Sequence, residues 1–130
     1  MTSVDPGEVA ARAMSAVERG ARDDWIGLFA TDATLEDPVD GTPARTGTAA
    51  IAEFWDTGIA VFESVTFTVQ RVHSAPEEAL VLAEVAVALA GGASARYDAA
   101  VHYRINGQGE IAALRAFWDL PAMLAQLSPG

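Results

Sequence analysis

The second half of the chain is built from strand-like runs, and this pattern constrains the fold more than any other feature of the sequence. The clearest run extends from Ala95 to Ile105, where apolar or aromatic residues occupy every second position. Such alternation is typical of a strand with one buried face. Three further runs, 64–74, 80–90 and 111–120, are separated by turn sequences that contain Gly, Pro and Asn. The sequence therefore predicts four long antiparallel strands joined by hairpins.

The first sixty residues have a helical period instead. Asp5 followed by Pro6 predicts a helix start, and that helix ends near Gly20. A second short helix carries Trp25, and Thr48 is placed to cap a third. One short strand, predicted over 34–37, lies among these helices and is stopped by proline. The order predicts a single α+β domain, residues 1–130, in which a curved antiparallel sheet wraps around the N-terminal helices and encloses an apolar pocket.

The composition excludes several classes of partner. The formal net charge of −10 opposes binding to nucleic acid or to an anionic membrane. The chain has no Cys, and its two histidines, His73 and His102, are far apart in the sequence, so we expect no metal site. The N-terminal residues do not resemble a signal peptide, and no apolar run is long enough to span a membrane. We therefore expect a soluble cytoplasmic protein whose ligand is an apolar small molecule.

Asp37 is the candidate catalytic residue. Under the two-residue alternation of a strand, Asp37 lies on the same side as Leu35, so a core-facing Leu35 implies a core-facing carboxylate. Loss of hydration disfavours the charged form of a carboxylic acid and raises its pKa toward the range that suits proton transfer. The alternative interpretation is a turn carboxylate that accepts hydrogen bonds from nearby backbone N–H groups before Pro38.

Two segments resemble a known family. The segment LFATDATLEDPVDGTPARTGTAAIAEFW, together with VHYRINGQGEIAALRAFW, is similar to the bacterial Δ5-3-ketosteroid isomerases, and the resemblance covers about residues 10–118. It implies the nuclear-transport-factor-2-like cone fold, with Asp37 at the position of the aspartate that moves a proton between two carbons of the steroid. In those isomerases, a Tyr and a protonated Asp also hold the developing enolate oxygen.

The resemblance does not extend to those two oxygen-binding residues. Their positions fall on Ala13, beside Met14, and on Val101, and none of these side chains can donate a hydrogen bond. By strand parity, Tyr97 and Tyr103 share the face of Val101 and are candidate replacements. The resemblance also implies that the indole N–H of Trp118 orients Asp37. The expected catalytic residues are Asp37 and Tyr103, and the expected substrate-binding residues are Met14, Phe54, Trp55, Tyr97, Val101 and Trp118.

These residues lead to one main hypothesis and two alternatives. The main hypothesis is a steroid delta-isomerase-like enzyme that needs no cofactor and moves a proton next to the carbonyl of an apolar, steroid-like ketone. The first alternative is a non-catalytic binder of steroids or other apolar molecules. The second is a SnoaL-like polyketide cyclase, which also uses a single acid in a cone-shaped pocket. The family resemblance further suggests a homodimer that pairs through the outer face of the sheet.

Overall fold

A computed structural model describes residues 4–128, and it confirms the predicted α+β architecture. The helices are α1 (Pro6–Glu18), α2 (Arg22–Ile26), α3 (Thr48–Phe54) and α4 (Leu120–Leu127), with a π-helical turn (Trp55–Ile59) after α3. The strands are β1 (Phe29–Glu36), β2 (Arg45–Thr46), β3 (Ser64–Ser74), β4 (Glu78–Ala88), β5 (Ser94–Ile105) and β6 (Ile111–Phe117).

The six strands form one curved sheet in the order β2-β1-β6-β5-β4-β3. Strands β3 to β6 are the predicted antiparallel meander, and each pairs with its neighbour in the chain. Strand β1 lies parallel to β6, with Leu35 opposite Leu114 and Glu36 opposite Arg115. Because parallel strands run in the same direction, the residues that follow β1 and β6 emerge at the same end of the sheet.

The concave face of the sheet forms the core together with α1. Along β4, every second residue is buried, and Val81, Val85 and Val87 are at most 3% exposed. Helix α1 contacts β3, β4 and β5 from this side, and its small buried residues, such as Ala13 at 1% exposure, allow close packing. The alternation read from the sequence therefore corresponds to one buried face and one outer face.

A bulge in β3 keeps its apolar residues on the concave face. The pairing with β4 shifts between Val69 and Arg71, so Val69 lies opposite Ala83 while Val72 lies opposite Val81. An extra residue in one strand moves the following side chains to the opposite face, and here it restores Val72 to the inner side. Strict alternation over residues 64–74 did not predict this bulge.

The N-terminal helix begins as the sequence predicts, whereas other boundaries differ. Asp5 Oδ1 accepts a hydrogen bond from the backbone N–H of Gly7 at 2.9 Å, and this satisfies one donor of the first helical turn. The predicted cap at Thr48 is wrong, because Gly47 is the N-cap and no side chain caps α3. The strand predicted over 34–37 is longer and begins at Phe29. Its early part alternates poorly, with two exposed residues, Thr31 and Asp32, in sequence.

Candidate functional site

Asp37 lies directly after β1, beside the residue that follows β6. Leu35 is 1% exposed on the concave side, and Asp37 continues on that side before a cis peptide bond to Pro38. Trp118 comes immediately after β6, and its indole Nε1 donates a hydrogen bond to Asp37 Oδ1 at 2.5 Å. The parallel pairing of β1 with β6 therefore brings together two residues that are 81 positions apart in the chain.

The carboxyl group of Asp37 lies in an environment that disfavours charge. Burial raises its pKa from 3.8 to about 6, and the hydrogen bond from Trp118 acts in the opposite direction. No cationic side chain among the described residues forms an ion pair with it. The residue as a whole is half-buried because it lines a cavity as well as the core. A carboxyl group with this pKa can both accept and return a proton near neutral pH.

Two phenols of β5 also line this cavity. The ring of Tyr97 stacks against Trp118, with centroids 4.5 Å apart and planes at 23°. Tyr103 is 3% exposed, yet its hydroxyl has no hydrogen-bond partner within residues 4–128. Burial, together with the charge of Asp37, raises the pKa of both phenols. Both hydroxyl groups therefore stay protonated at neutral pH and are available as donors.

The Tyr103 hydroxyl is open to the cavity. Within the described part of the chain, every fully buried side-chain nitrogen or oxygen has a hydrogen-bond partner. The Tyr103 hydroxyl has none, so it cannot be fully enclosed by protein and must face the cavity that the residue lines. A buried phenol without a protein partner costs free energy unless a ligand or water satisfies it.

The cavity itself has a volume of about 390 Å³, within the range of sites for small organic molecules. Most of its walls are apolar. Helix α1, the loop after β1, the end of α3 and strands β3 to β6 all contribute residues. The expected site residues that line it are Met14, Asp37, Phe54, Tyr97, Val101, Tyr103 and Trp118.

Trp55, which we expected to bind substrate, is not among the residues that line the cavity. The residue is 5% exposed and packs against Trp25, with ring centroids 5.4 Å apart. Phe54 occupies the cavity side of the helix instead, and the helix then widens into the π-helical turn. The spacing of apolar residues identified a buried helix face, but it does not distinguish core from cavity wall.

The positions that the resemblance assigns to oxygen-binding residues are apolar cavity wall. Ala13 is 1% exposed and Val101 is 9% exposed, and both line the cavity. The lining residues that carry a hydroxyl group on a ring are Tyr97 and Tyr103, which lie on β5 with Val101. An oxygen-binding group, if present, must therefore be arranged differently from that of the ketosteroid isomerases.

Among the parts of the cavity that sequence reasoning missed, two have no pattern to detect. One is Arg45 of β2, which lies at the cavity wall beside Phe54. The other is the π-helical turn, from which Thr57, Gly58 and Ile59 contribute to the lining. A strand of two residues has no periodicity to detect, and a π-helical turn has no sequence signature apart from the helical pattern that it interrupts.

No group of three or more His, Asp or Glu side chains within 4–128 is arranged to hold a metal ion. None of the helices in the same range combines the length and the apolar character that crossing a bilayer requires. The cavity-lining residues with polar side-chain groups are Asp37, Arg45, Thr57, Tyr97, Tyr103 and Trp118.

Comparison with known proteins relates this geometry to a family. The SnoaL-like domain model matches residues 10–114. A Δ5-3-ketosteroid isomerase from Mycobacterium sp. superposes with a TM-score of 0.82 at 27% identity, over 92% of this chain and 98% of that protein. Rv0760c from Mycobacterium tuberculosis, in complex with estradiol-17β-hemisuccinate, gives a TM-score of 0.80 at 26% identity, over 90% and 95% of the two chains.

A third solved structure shares the fold alone. SalBIII, an epoxide hydrolase/cyclase-like enzyme with a role in pyran ring formation in the polyether salinomycin, has a TM-score of 0.79 at 22% identity. The match covers 90% of this chain and 92% of the SalBIII chain. Proteins with different chemistry are therefore built on the same cone, and the fold by itself does not decide the reaction.

Proposed function

Because the chain belongs to the SnoaL-like domain family, we propose that it is a steroid delta-isomerase-like enzyme that uses Asp37 as its general base. The observation that carries the proposal is the position of this carboxyl group. It lines an apolar cavity, has a pKa raised to about 6 and accepts a hydrogen bond from Trp118. General bases work best when their pKa lies near the working pH.

The proposed reaction needs only groups of this chain. The Asp37 carboxylate takes a proton from the carbon next to the ketone, and the C–H electron pair moves into the carbonyl group to form an enolate. The phenol of Tyr103 donates a hydrogen bond to the enolate oxygen. Asp37, now a neutral acid, returns the same proton to a different carbon of the conjugated system. No atom is gained or lost, so no cofactor enters the balance.

Trp118 is assigned a positioning role. Its N–H holds Oδ1 of Asp37, which leaves the second carboxyl oxygen free to meet the substrate. The stack with Tyr97 restricts the indole in turn. A base that is held in one orientation does not have to be ordered during the reaction, and this lowers the barrier.

The substrate class follows from the walls of the cavity. Apolar side chains dominate the lining, and a volume of about 390 Å³ suits a rigid polycyclic ketone better than a small polar metabolite. Rv0760c, at 26% identity, has been solved with a steroid derivative in complex, and this supports the same class for the present chain.

The test is an isomerisation assay with a Δ5-3-ketosteroid, in which the conjugated enone is followed by its absorbance. Wild-type protein should convert the ketone, and Asp37→Asn should lose about 10²- to 10⁴-fold in rate. Asp40→Asn is the matched control, because Asp40 is an exposed acid in the turn that follows. Equal rates for wild type and Asp37→Asn would overturn the proposal.

One observation favours a second candidate, a binding protein without catalysis. Ala13 and Val101 form apolar wall at the positions where the resemblance expects oxygen-binding side chains. This candidate predicts that a steroid quenches the fluorescence of Trp25 and Trp118, which both line the cavity, without turnover. Saturable quenching combined with no enone formation would select it over the isomerase.

The proposal also includes a homodimer in the cytoplasm. Support for the dimer comes from the outer face of the sheet, where Phe117 is 41% exposed. The mixed outer face also carries partly buried apolar residues of β4, including Leu80 and Leu82. An exposed aromatic residue on a sheet face is a common element of a protein interface.

A further inference from the structure

Arg45 is fixed at the wall of the cavity by the short strand β2. It pairs with Leu35 across the sheet, so both residues project to the same face. Its guanidinium carbon lies 5.5 Å from the centre of the Phe54 ring, where the cation and the face of the ring attract each other. Both side chains line the cavity. The charge is therefore held at a defined place beside the ligand space.

The donors of this guanidinium group are largely unused. Its one ion pair within residues 4–128 joins Nη1 to Glu53 Oε1 at 3.5 Å, which is longer than a charge-assisted hydrogen bond. The Arg45 side chain is 39% exposed and the Glu53 side chain 69%, and such exposed pairs contribute little. An arginine has five N–H donors, so at least a bidentate contact remains available to a ligand.

The position of Arg45 is distinctive because of the charges on the other residues of the chain. Among the described residues that line the cavity, Arg45 is the only one that carries a positive charge. The chain as a whole has a formal net charge of −10, so its overall field repels an anion. A cation at the cavity wall attracts an acidic ligand at close range, where its charge outweighs this field.

We propose that Arg45 is a specificity residue that selects apolar ligands with an anionic group, such as a carboxylate or sulfate, in addition to the reacting ketone. The proposal rests on the proposed function and names its substrate class more closely. Arg45 pairs with Leu35, two residues before Asp37, but its guanidinium lies over the Phe54 ring and does not contribute to the pKa shift of Asp37. A ligand whose acid contacts Arg45 keeps that charge away from the Asp37 carboxylate.

The experiment measures binding of two ligands that differ only in charge. The probes are 3-oxo-androst-4-ene-17β-carboxylate and its methyl ester, which already contain the conjugated enone, so no turnover accompanies binding. Tryptophan fluorescence gives the dissociation constants for wild type, Arg45→Gln, Glu53→Gln and Arg71→Gln. Arg71→Gln is the matched control, because Arg71 is an exposed arginine of β3 outside the cavity lining and its loss changes the net charge equally.

Arg45→Gln and Glu53→Gln are expected to change the affinity for the carboxylate in opposite directions. Wild type should bind the carboxylate about tenfold more tightly than the ester, and Arg45→Gln should remove that preference while leaving ester binding within about twofold. Glu53→Gln should strengthen carboxylate binding by about twofold, because the competing acid is gone. Arg71→Gln should leave the preference in place.

Three results would overturn the inference. The first is a wild-type protein that does not prefer the carboxylate, and the second is an equal loss of carboxylate binding in Arg45→Gln and Arg71→Gln. The third is a loss of both ligands in Arg45→Gln, which would mean that Arg45 supports the cavity wall rather than the ligand. The binding assay involves no turnover, so its result does not depend on catalysis. A protein that keeps the charge preference but has no isomerase activity would contradict the isomerase proposal alone. A wild-type protein that binds neither ligand would contradict both the isomerase proposal and the role of Arg45.

Discussion

Trp118 Nε1 lies 2.5 Å from Asp37 Oδ1, and this hydrogen bond opposes the effect of burial on the acid. Burial alone pushes the pKa of the carboxyl group upward, and a donated hydrogen bond favours the charged form. The balance leaves the pKa at about 6, so most molecules carry the basic form at neutral pH while the conjugate acid is still able to return a proton. The pKa of Asp37, and the effect of each neighbouring residue on it, can be measured.

The pH dependence of the proposed isomerase should follow Asp37. Only the carboxylate accepts a proton, so kcat/KM should rise with pH, reach half its maximum near pH 6 and then level off. A continuous absorbance assay between pH 4.5 and pH 8.5 measures this curve. A half-maximum near pH 4, the ordinary value for an aspartate, would show that the carboxyl group is well hydrated.

Replacing Trp118 with Phe should move that curve. The variant keeps an aromatic ring to stack on Tyr97 but loses the N–H that stabilises the Asp37 carboxylate, so the pKa of Asp37 should rise. Hydrogen bonds to charged groups contribute about 1.5–3 kcal/mol, so the rate at pH 6 should fall by about tenfold or more. Much of that loss should disappear at pH 8.5, where the carboxylate forms again. A loss that is equal at every pH would contradict a role in tuning the base.

The Tyr103→Phe variant tests the proposed oxygen-binding group. The hydroxyl has no partner within the described chain, so its removal should not lower the free energy of unfolding. The isomerisation kcat should fall by about 10²- to 10³-fold, as for the loss of an oxyanion donor. Tyr97→Phe is the control, and the larger loss should follow Tyr103. The reverse order would assign the donor to Tyr97.

Val101→Asp should increase isomerase activity. Val101 lines the cavity on the same face as Tyr103, at the position where the resemblance places an acidic donor. In this apolar setting the introduced acid should stay protonated and donate a hydrogen bond to the enolate, with a gain in kcat of about tenfold or more. Val101→Asn serves as a neutral control of similar shape. A Val101→Asp variant that folds, binds steroid and shows no gain would contradict the proposed position of the substrate oxygen.

Asp37 should reduce stability at the pH at which it works. Its pKa is raised from 3.8 in the unfolded chain to about 6 in the folded one, so the folded state binds the proton more tightly. Stability is therefore lost as pH rises from below 3.8 to above 6, by up to about 3 kcal/mol. Asp37→Asn should be more stable than wild type at pH 8, with a smaller gain at pH 5. Denaturant unfolding at both pH values measures the difference, and a gain that does not depend on pH would contradict it.

Strands could be predicted where the alternation of apolar residues was long enough to show which face of the strand is buried. Residues 64–74 and 95–105 have sustained alternation, and both became strands with nearly the predicted bounds. The pairing of β1 with β6 was not predictable in the same way, because neither strand carries a signal that identifies a partner about 80 positions away. Residues 45–46 were missed since two residues have no period.

The candidate site was recoverable to the extent that strand parity decides it. Parity placed Asp37 with Leu35, and Tyr97 with Tyr103, and all except Leu35 line the cavity. Helical spacing was less informative, because Phe54 and Trp55 are both inner residues but only Phe54 lines the cavity. Whether a buried side chain packs in the core or lines the cavity depends on how several helices and strands pack together. The spacing of apolar residues along one element does not contain that information.

Because β1 pairs with β6, Asp37 meets Trp118 only when the last strand has joined the sheet. A fragment that ends before residue 118 lacks the indole that donates to Asp37. Because that hydrogen bond favours the carboxylate, the pKa of Asp37 reports whether two segments 81 positions apart are in contact.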